Sequence, residues 1–179
     1  MPPRDLPRWS TLTREERFFT CILFADIVNH PTPLWKLLSH QLGYSHGVRV
    51  IDQGYEVCLF RDAARPEFRL VRRHRELEKV TFDLLLTLSN RALVIIEAKA
   101  HQSYTRAQID VLHRCRQILR NSDSWPAKPI HIVGLCSSRY RIKDQTRGEF
   151  DALLRWNELA EAYADNESLY LQADSIYGN

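Results

Sequence analysis

The spacing of apolar residues along the first quarter of the chain predicts two helices. Apolar side chains recur at helical spacing over positions 18–27, and Thr13 followed three residues later by Glu16 is typical of the capping box with which a helix begins. Prolines interrupt this pattern, and a second short helix follows over positions 33–43, with leucines on its buried face. The chain is therefore expected to enter its first strand only after two helices.

The middle of the chain predicts strands. Positions 55–61 and 69–73 are interpreted as short strands near Gly and Pro residues. Phe82–Leu88 and positions 92–99 are rich enough in apolar residues to be buried on both faces of a sheet. The polar tripeptide at 89–91 separates them, so the pattern predicts a central hairpin.

Further along, helix and strand patterns alternate once more. A helix is predicted from Thr105 to Arg120, a buried strand over 129–136 and a last helix over 150–163. The residues predicted on the inner face of the first of these helices are Gln108, Val111, Leu112, Cys115, Ile118 and Leu119. The whole order predicts a mixed α/β domain with helices flanking one central sheet.

Length and composition favour one compact domain. The chain has 179 residues, of which 44% are hydrophobic and 26% charged. We expect residues 1–179 to form a single domain, with a core over about 13–140 and an acidic helix and tail over 149–179. The apolar stretches are shorter than the roughly 20 residues that cross a bilayer, and the first residues lack the apolar core of a signal peptide. These features predict a cytoplasmic protein with no membrane partner.

Sequence signatures of several other chemistries are missing. The four cysteines lie far apart in apolar segments, so we expect small buried side chains rather than a zinc site or disulfides. The sequence has no Gly-rich phosphate loop and no pair of histidines at H-x-x-x-H spacing. Nucleotide-driven and zinc-dependent reactions are therefore not expected.

Charge is distributed unevenly along the chain. Residues 149–179 hold seven acidic residues and one arginine, a net charge of −6, which leaves +9 for the rest because the whole chain carries +3. Within the rest, segments 61–79 and 139–147 are strongly basic. Such segments can follow a phosphate backbone, and a solvated surface explains the same charges equally well.

One candidate site lies at the end of the predicted hairpin. Glu97 and Lys99 are two residues apart in a strand, so their side chains project from the same face. With a three-residue loop, the hairpin pairs Leu88 with Ala92 and therefore Asp83 with Glu97. Directly opposed residues of antiparallel strands have Cβ atoms roughly 5 Å apart. Two carboxylates would then meet beside a lysine.

Such an arrangement predicts metal-dependent chemistry on phosphates. Two carboxylates at this separation repel each other unless a cation lies between them. Mg²⁺ is commonly held by one or two carboxylates, waters and phosphate oxygens, so Asp83 and Glu97 predict a site for Mg²⁺ (or Mn²⁺). Lys99 can steer or deprotonate a water, and its charge can steady a phosphate. Together the three residues predict hydrolysis of phosphodiesters.

Two alternatives stay open from the residues alone. A two-residue loop would pair Asp83 with Ile96 and turn Glu97 to the opposite face, which would dismantle the site. A strand that ends in Glu-x-Lys is also commonly a surface ion pair that contributes little stability.

The motif resembles that of the PD-(D/E)XK nuclease superfamily, which has the restriction-endonuclease-like fold. Asp83 is followed by thirteen residues and then by Glu97-Ala98-Lys99 at the end of an apolar strand. The family core of helix, three antiparallel strands, helix and strand is similar to the predicted order here, although Phe82 stands where the family pattern has proline. The resemblance implies a metal-dependent nuclease that acts on DNA more commonly than on RNA.

The resemblance also implies roles for single residues. The metal ligands it implies are the carboxylates of Asp83 and Glu97 and the carbonyl of Ala98. Many members carry a glutamine on the helix after the motif, here Gln108, and some carry a glutamate on the first helix, for which Glu16 is the better match and Glu15 the alternative. The catalytic residues implied are thus Asp83, Glu97, Lys99, Gln108 and Glu16. Both helix-start residues, Gln108 and Glu16, also have structural explanations.

Nucleic acid, DNA before RNA, is the expected partner. The candidate contacts lie in the first basic segment and around the motif, at Arg72, Arg73, Arg75, His101 and Arg106. Basic side chains on an irregular rim neutralise phosphate charge without reading bases. One alternative is a catalytically inactive nuclease fold that binds nucleic acid or a protein. A homodimer or a partner protein bound through the C-terminal region is also considered.

Overall fold

The structure is a computed structural model that describes residues 15–44, 47–62, 78–121 and 129–177. The helices within these ranges are α1 (Glu16–Asn29), α2 (Pro31–Gln41), α3 (Leu59–Asp62), α4 (Arg106–Arg120), α5 (Asp144–Arg147), α6 (Trp156–Ala162) and α7 (Glu167–Ser175), with a 3₁₀ helix at Ala164–Asn166. The strands are β1 (Val50–Val57), β2 (Phe82–Leu88), β3 (Leu93–Lys99), β4 (Ile130–Cys136) and β5 (Ala152–Arg155).

The five strands form one mixed sheet in the order β1-β2-β3-β4-β5. The first three strands are antiparallel, and β4 and β5 then continue parallel to β3. Apolar side chains of α1, α2, α6 and α7 pack on one face of the sheet, and those of α4 pack on the other. The predicted α/β class, with helices flanking a mixed sheet, is confirmed.

The hairpin between β2 and β3 has the register that the candidate site requires. Leu84 pairs with Ile96, the backbone N–H of Leu88 donates to the carbonyl of Ala92, and Arg91 takes a left-handed φ of 69° in the loop. This is the geometry of a three-residue loop, in which one residue adopts the left-handed conformation. The alternative two-residue loop is therefore wrong. In β2, buried residues alternate with half-buried ones, whereas β3 is buried on both faces apart from the half-buried Glu97.

The first strand is earlier in the chain than its sequence pattern predicts. β1 covers Val50–Val57 rather than 55–61, and residues 59–62 form the short helix α3. Pairing with β2 runs from Val50 to Val57 and includes Gly54. Contacts with the neighbouring strand therefore maintain β1 across a glycine, a residue with low strand propensity. The strand predicted over 69–73 lies outside the described residues.

The prediction of one helix over 150–163 is wrong. Residues Ala152–Arg155 form the edge strand β5, which pairs with β4 from Val133 to Cys136, and α6 begins only at Trp156. The apolar run is too short to distinguish strand from helix by periodicity, and the distant strand β4 decides the outcome.

Smaller differences concern ends and faces of helices. α2 begins at Pro31, two residues before the predicted start, and the left-handed Gly43 (φ 71°) follows its end. On α4, Ile109 is buried, whereas Val111, predicted on the inner face, is 40% exposed. Cys21 is exposed, contrary to prediction, while the other three cysteines are buried, and none of the four forms a disulfide in the part of the chain that the structure describes. Among the described helices, none combines the length and apolar character needed to cross a bilayer.

Candidate active site

Asp83 lies beside the end of β3 and binds its backbone. The described pairing of β2 with β3 ends at Leu84 and Ile96. Within a strand, the N–H and C=O of one residue point toward the same neighbouring strand, so the polar groups of Ala98 point toward β2. There the N–H of Ala98 donates to Oδ2 of Asp83 over 2.8 Å. The carboxylate therefore replaces a backbone partner and is fixed next to the motif.

Lys99 is a buried cation with three oxygen partners. Its Nζ lies 2.9 Å from Oε1 of Glu97, 3.1 Å from Oε1 of Glu16 and 2.7 Å from the carbonyl of Ala98. Its side chain is only 5% exposed. Three acceptors match the three N–H groups of an ammonium. The hypothesis of a solvent-exposed ion pair is therefore wrong for this lysine.

Glu16 belongs to this cluster rather than to the cap of its own helix. One carboxylate oxygen binds Lys99, and Oε2 accepts a hydrogen bond from the N–H of Ala100 over 3.0 Å. The N-cap residue of α1 is Glu15, which makes no capping hydrogen bond through its side chain, and Thr13 lies outside the described residues. The capping-box interpretation of Glu16 is therefore wrong, because the ammonium and the free amide at the end of β3 engage both of its oxygens.

Burial and crowding shift the pKa values of the three motif residues. Burial, followed by the neighbouring charge of Glu97, raises the pKa of Asp83 to about 7. Burial also raises the pKa of Glu97, although Lys99 opposes the shift. For Lys99, burial lowers the pKa, but the Glu97 and Glu16 carboxylates together outweigh it and leave the pKa above its usual value. Lys99 is therefore an ammonium at neutral pH.

Gln108 has the structural role that its position at a helix start suggests. The N–H of Gln108 donates to Oγ1 of Thr105 over 3.2 Å, and its Oε1 accepts from the N–H of Thr105 over 3.1 Å, which completes a capping box for α4. Gln108 also lines a cavity of about 400 Å³ together with Glu97. The other lining residues are Lys79, Val80, Thr81, Ala107, Val111 and Leu112. A catalytic role for Gln108 stays a prediction.

The oxygen groups at the end of β3 fit a hard divalent cation. Asp83 and Glu97 are half-buried carboxylates, and the charge of Glu97 adds to burial in raising the pKa of Asp83. The carbonyl of Ala98 points to the same side as Asp83. Mg²⁺ and Mn²⁺ prefer such oxygen ligands. Across the described ranges, no three His, Cys, Asp or Glu side chains converge to hold a metal. A site here would thus rest on two carboxylates and a carbonyl.

The predicted nucleic-acid contacts differ in what surrounds them. Arg72, Arg73 and Arg75 lie outside the described residues. His101 is half-buried, with its Nε2 3.2 Å from Nε2 of Gln102.

Arg106 is already matched by acidic neighbours. Its guanidinium lies 2.5 Å from Oε1 of Glu149 and 2.9 Å from Oδ1 of Asp110. Because two carboxylates balance its charge, Arg106 offers little attraction to a phosphate backbone.

Sequence patterns missed two contacts at this end of the sheet, and they did not place the basic segment 139–147 beside them. Tyr104 is buried with its hydroxyl 3.1 Å from the carbonyl of Glu97 and 2.9 Å from that of Leu135. Trp156 donates its indole N–H to the carbonyl of Lys99 over 3.0 Å. The basic segment 139–147 follows β4, whose last residue, Cys136, pairs with Lys99. Only the basic segment has a signal in the sequence, its run of positive charges.

Comparisons of the chain with protein-family models, with curated proteins and with solved structures found no match.

Proposed function

We propose that this protein is a metal-dependent nuclease that hydrolyses phosphodiester bonds, with DNA favoured over RNA. The observation that carries the proposal is the convergence of Asp83, Glu97 and the buried ammonium of Lys99 at one end of the central hairpin. Apart from the additional helices α2 and α3, the elements follow the order α1-β1-β2-β3-α4-β4, with three antiparallel strands followed by a parallel one. This order supports a restriction-endonuclease-like core of the PD-(D/E)XK type.

The oxygen ligands at the end of β3 would hold the ion. Asp83 and Glu97 supply two negative charges, and the Ala98 carbonyl supplies a neutral oxygen beside them. The chemistry that Mg²⁺ or Mn²⁺ supplies when bound is Lewis-acid polarisation of a phosphodiester oxygen. Low exposure of Glu97 and Lys99 strengthens every electrostatic interaction at this point.

Lys99 would act by its positive charge. Its pKa lies above the usual value because Glu97 and Glu16 outweigh burial, so its Nζ keeps a proton at neutral pH. A fixed ammonium stabilises negative charge that develops on an attacked phosphate. Glu16 is a positioning residue in this proposal, since its carboxylate holds Nζ of Lys99 in place. Of the roles expected for Lys99, the proposal relies on the electrostatic one.

A basic loop next to the site is suited to bind the phosphate backbone. Arg141 and Lys143 are exposed and form no ion pair with any described residue. Their loop follows Cys136, which pairs with Lys99 across β3 and β4, so it leaves the sheet at the candidate site. The ring of Tyr140, within the loop, lies 6.0 Å from that of Tyr104. Cations at this end of the sheet that no described carboxylate neutralises would attract phosphates without reading bases.

Charge reversal in this loop is expected to weaken nucleic-acid binding. The double variant Arg141→Glu, Lys143→Glu should raise the Kd by about tenfold, to the same extent for duplexes of unrelated sequence. The slope of log K against log salt should become shallower by about two, because each phosphate contact contributes about 0.9 to it. Fluorescence anisotropy at several salt concentrations measures both quantities. Arg49→Glu is the matched control. Arg49 is exposed, precedes β1 and lies beside the β2–β3 hairpin loop, at the end of the strands opposite to the candidate site. Equal weakening by the control would remove this loop from the interface.

One observation favours the alternative of an inactive nuclease fold. The Ala98 carbonyl, one of the three proposed ligands, already accepts a hydrogen bond from Nζ of Lys99 over 2.7 Å. A permanent contact of this kind would leave an ion only the two carboxylates. Under this alternative the basic loop would still bind nucleic acid, but no cleavage would follow.

A cleavage assay separates the two functions. Purified protein is incubated with supercoiled plasmid, single-stranded DNA and RNA in Mg²⁺, Mn²⁺ or EDTA. We expect nicked and linear plasmid with either metal and intact plasmid in EDTA. Lys99→Ala protein purified in parallel controls for contaminating nucleases. Binding without cleavage in every metal would favour the inactive fold, and cleavage that survives EDTA would contradict a metal-dependent site.

A further inference from the structure

A tryptophan from the C-terminal part of the chain lies under the end of the motif strand. Trp156, the first residue of α6, is fully buried, and its ring packs near those of Phe19 and Tyr170. Its indole N–H donates to the carbonyl of Lys99 over 3.0 Å. The contact joins residues 57 positions apart in the chain, so it exists only because β5 delivers α6 to this place.

The peptide group between Lys99 and Ala100 is held at both ends. Trp156 binds its carbonyl, and Oε2 of Glu16 accepts from its N–H over 3.0 Å. Because a peptide group is planar, two hydrogen bonds on opposite sides fix its orientation. The direction in which the Lys99 side chain leaves the backbone is fixed with it.

The neighbouring carbonyls of the strand end are occupied differently. The hydroxyl of Tyr104 lies 3.1 Å from the carbonyl of Glu97, on the side of the strand that faces β4. The Ala98 carbonyl points the other way, toward the side of Asp83. Tyr104 and Trp156 thus engage the carbonyls of Glu97 and Lys99, whereas the carbonyl of Ala98, which accepts from Nζ of Lys99, points toward the candidate site.

We propose that Trp156 is a positioning residue of this site, which fixes the backbone of Lys99 and through it the ammonium. The inference rests on the proposed nuclease function and assigns part of its machinery to the C-terminal segment. Without the indole N–H, the buried carbonyl of Lys99 loses its partner, and the strand end gains freedom to move. A displacement of about 1 Å at a catalytic group is enough to reduce turnover by about a hundredfold.

The test removes the indole N–H donor of Trp156 and keeps a bicyclic aromatic ring in its place. Trp156→3-benzothienylalanine, introduced site-specifically, replaces the indole N–H by sulfur in a ring of nearly the same shape. The same replacement at Trp35 is the matched control, because Trp35 is also largely buried and donates its N–H to a backbone carbonyl, that of Val48, over 2.6 Å. Single-turnover cleavage of a defined duplex in Mg²⁺ gives the rate of the chemical step, and anisotropy gives the Kd.

We expect the replacement at Trp156 to lower the cleavage rate by about tenfold or more with a Kd within twofold of the parent, and the replacement at Trp35 to change neither by more than twofold. Trp156→Phe, which also lacks the N–H, should show the same division between rate and affinity. Cleavage within twofold of the parent for both Trp156 variants, or equal losses at Trp156 and Trp35, would overturn the positioning role. If the parent does not cleave at all, the proposed function fails, and this role fails with it.

Discussion

Replacement of Lys99 by alanine is expected to lower cleavage by about a hundredfold or more, the scale that loss of a group acting in the transition state commonly has. Lys99→Arg should lose nearly as much, although it keeps the positive charge. The ammonium donates in three directions, to Glu97, Glu16 and the Ala98 carbonyl. A guanidinium is planar and larger, so it cannot reproduce that arrangement in a space where the lysine is 5% exposed.

The measurement must separate chemistry from binding. We expect both Lys99 variants to bind Mn²⁺ by calorimetry and duplex DNA by anisotropy, while single-turnover cleavage falls. Lys36→Ala is the control, because Lys36 is an exposed lysine on α2. Cleavage by Lys99→Ala within a few-fold of the parent would reduce this lysine to an ion-pair partner of Glu97 and remove the main support of the nuclease proposal.

The hairpin that carries the motif could be predicted because its determinants are local. The two apolar strands are separated by a short polar loop, and the loop length alone sets which residues face each other. The observed pairing ends at Leu84 and Ile96, one residue before Asp83 and Glu97, and the Asp83 carboxylate accepts from the N–H of Ala98. Sequence reasoning therefore predicted the register of this hairpin correctly.

The rest of the site depends on contacts between distant parts of the chain. Glu16 follows Thr13 at capping-box spacing, which predicts a local role at the start of its own helix. Its carboxylate instead binds Lys99, 83 positions away. Trp156 begins a helix whose predecessor, β5, was itself predicted as helix. A four-residue edge strand has too few positions to show its period, and its pairing with β4 comes from the fold.

Asp83→Asn is expected to stabilise the metal-free protein at pH 8 while abolishing cleavage. The folded-state pKa of Asp83 is about 7, against 3.8 for the free side chain, because burial and then Glu97 disfavour its charge. At a pH between these two pKa values, the native protein binds more protons than the unfolded chain. The free energy of unfolding of the parent therefore falls as pH rises from about 4 to about 7. Asparagine carries no charge, and its Oδ1 can still accept from the N–H of Ala98.

The stability difference between Asp83→Asn and the parent should therefore be small at pH 4 and reach about 2–4 kcal/mol in favour of the variant at pH 8, since each pKa unit corresponds to about 1.4 kcal/mol. Urea denaturation at both pH values in EDTA measures this difference, with Asp52→Asn, a change at an exposed residue, as the control.

Added Mg²⁺ should raise the Tm of the parent more at pH 8 than at pH 5 and leave that of the variant unchanged, because an ion bound to the native state replaces the missing counter-charge. A variant less stable than the parent at pH 8, or equally responsive to Mg²⁺, would mean that Asp83 is not an electrostatically strained metal ligand.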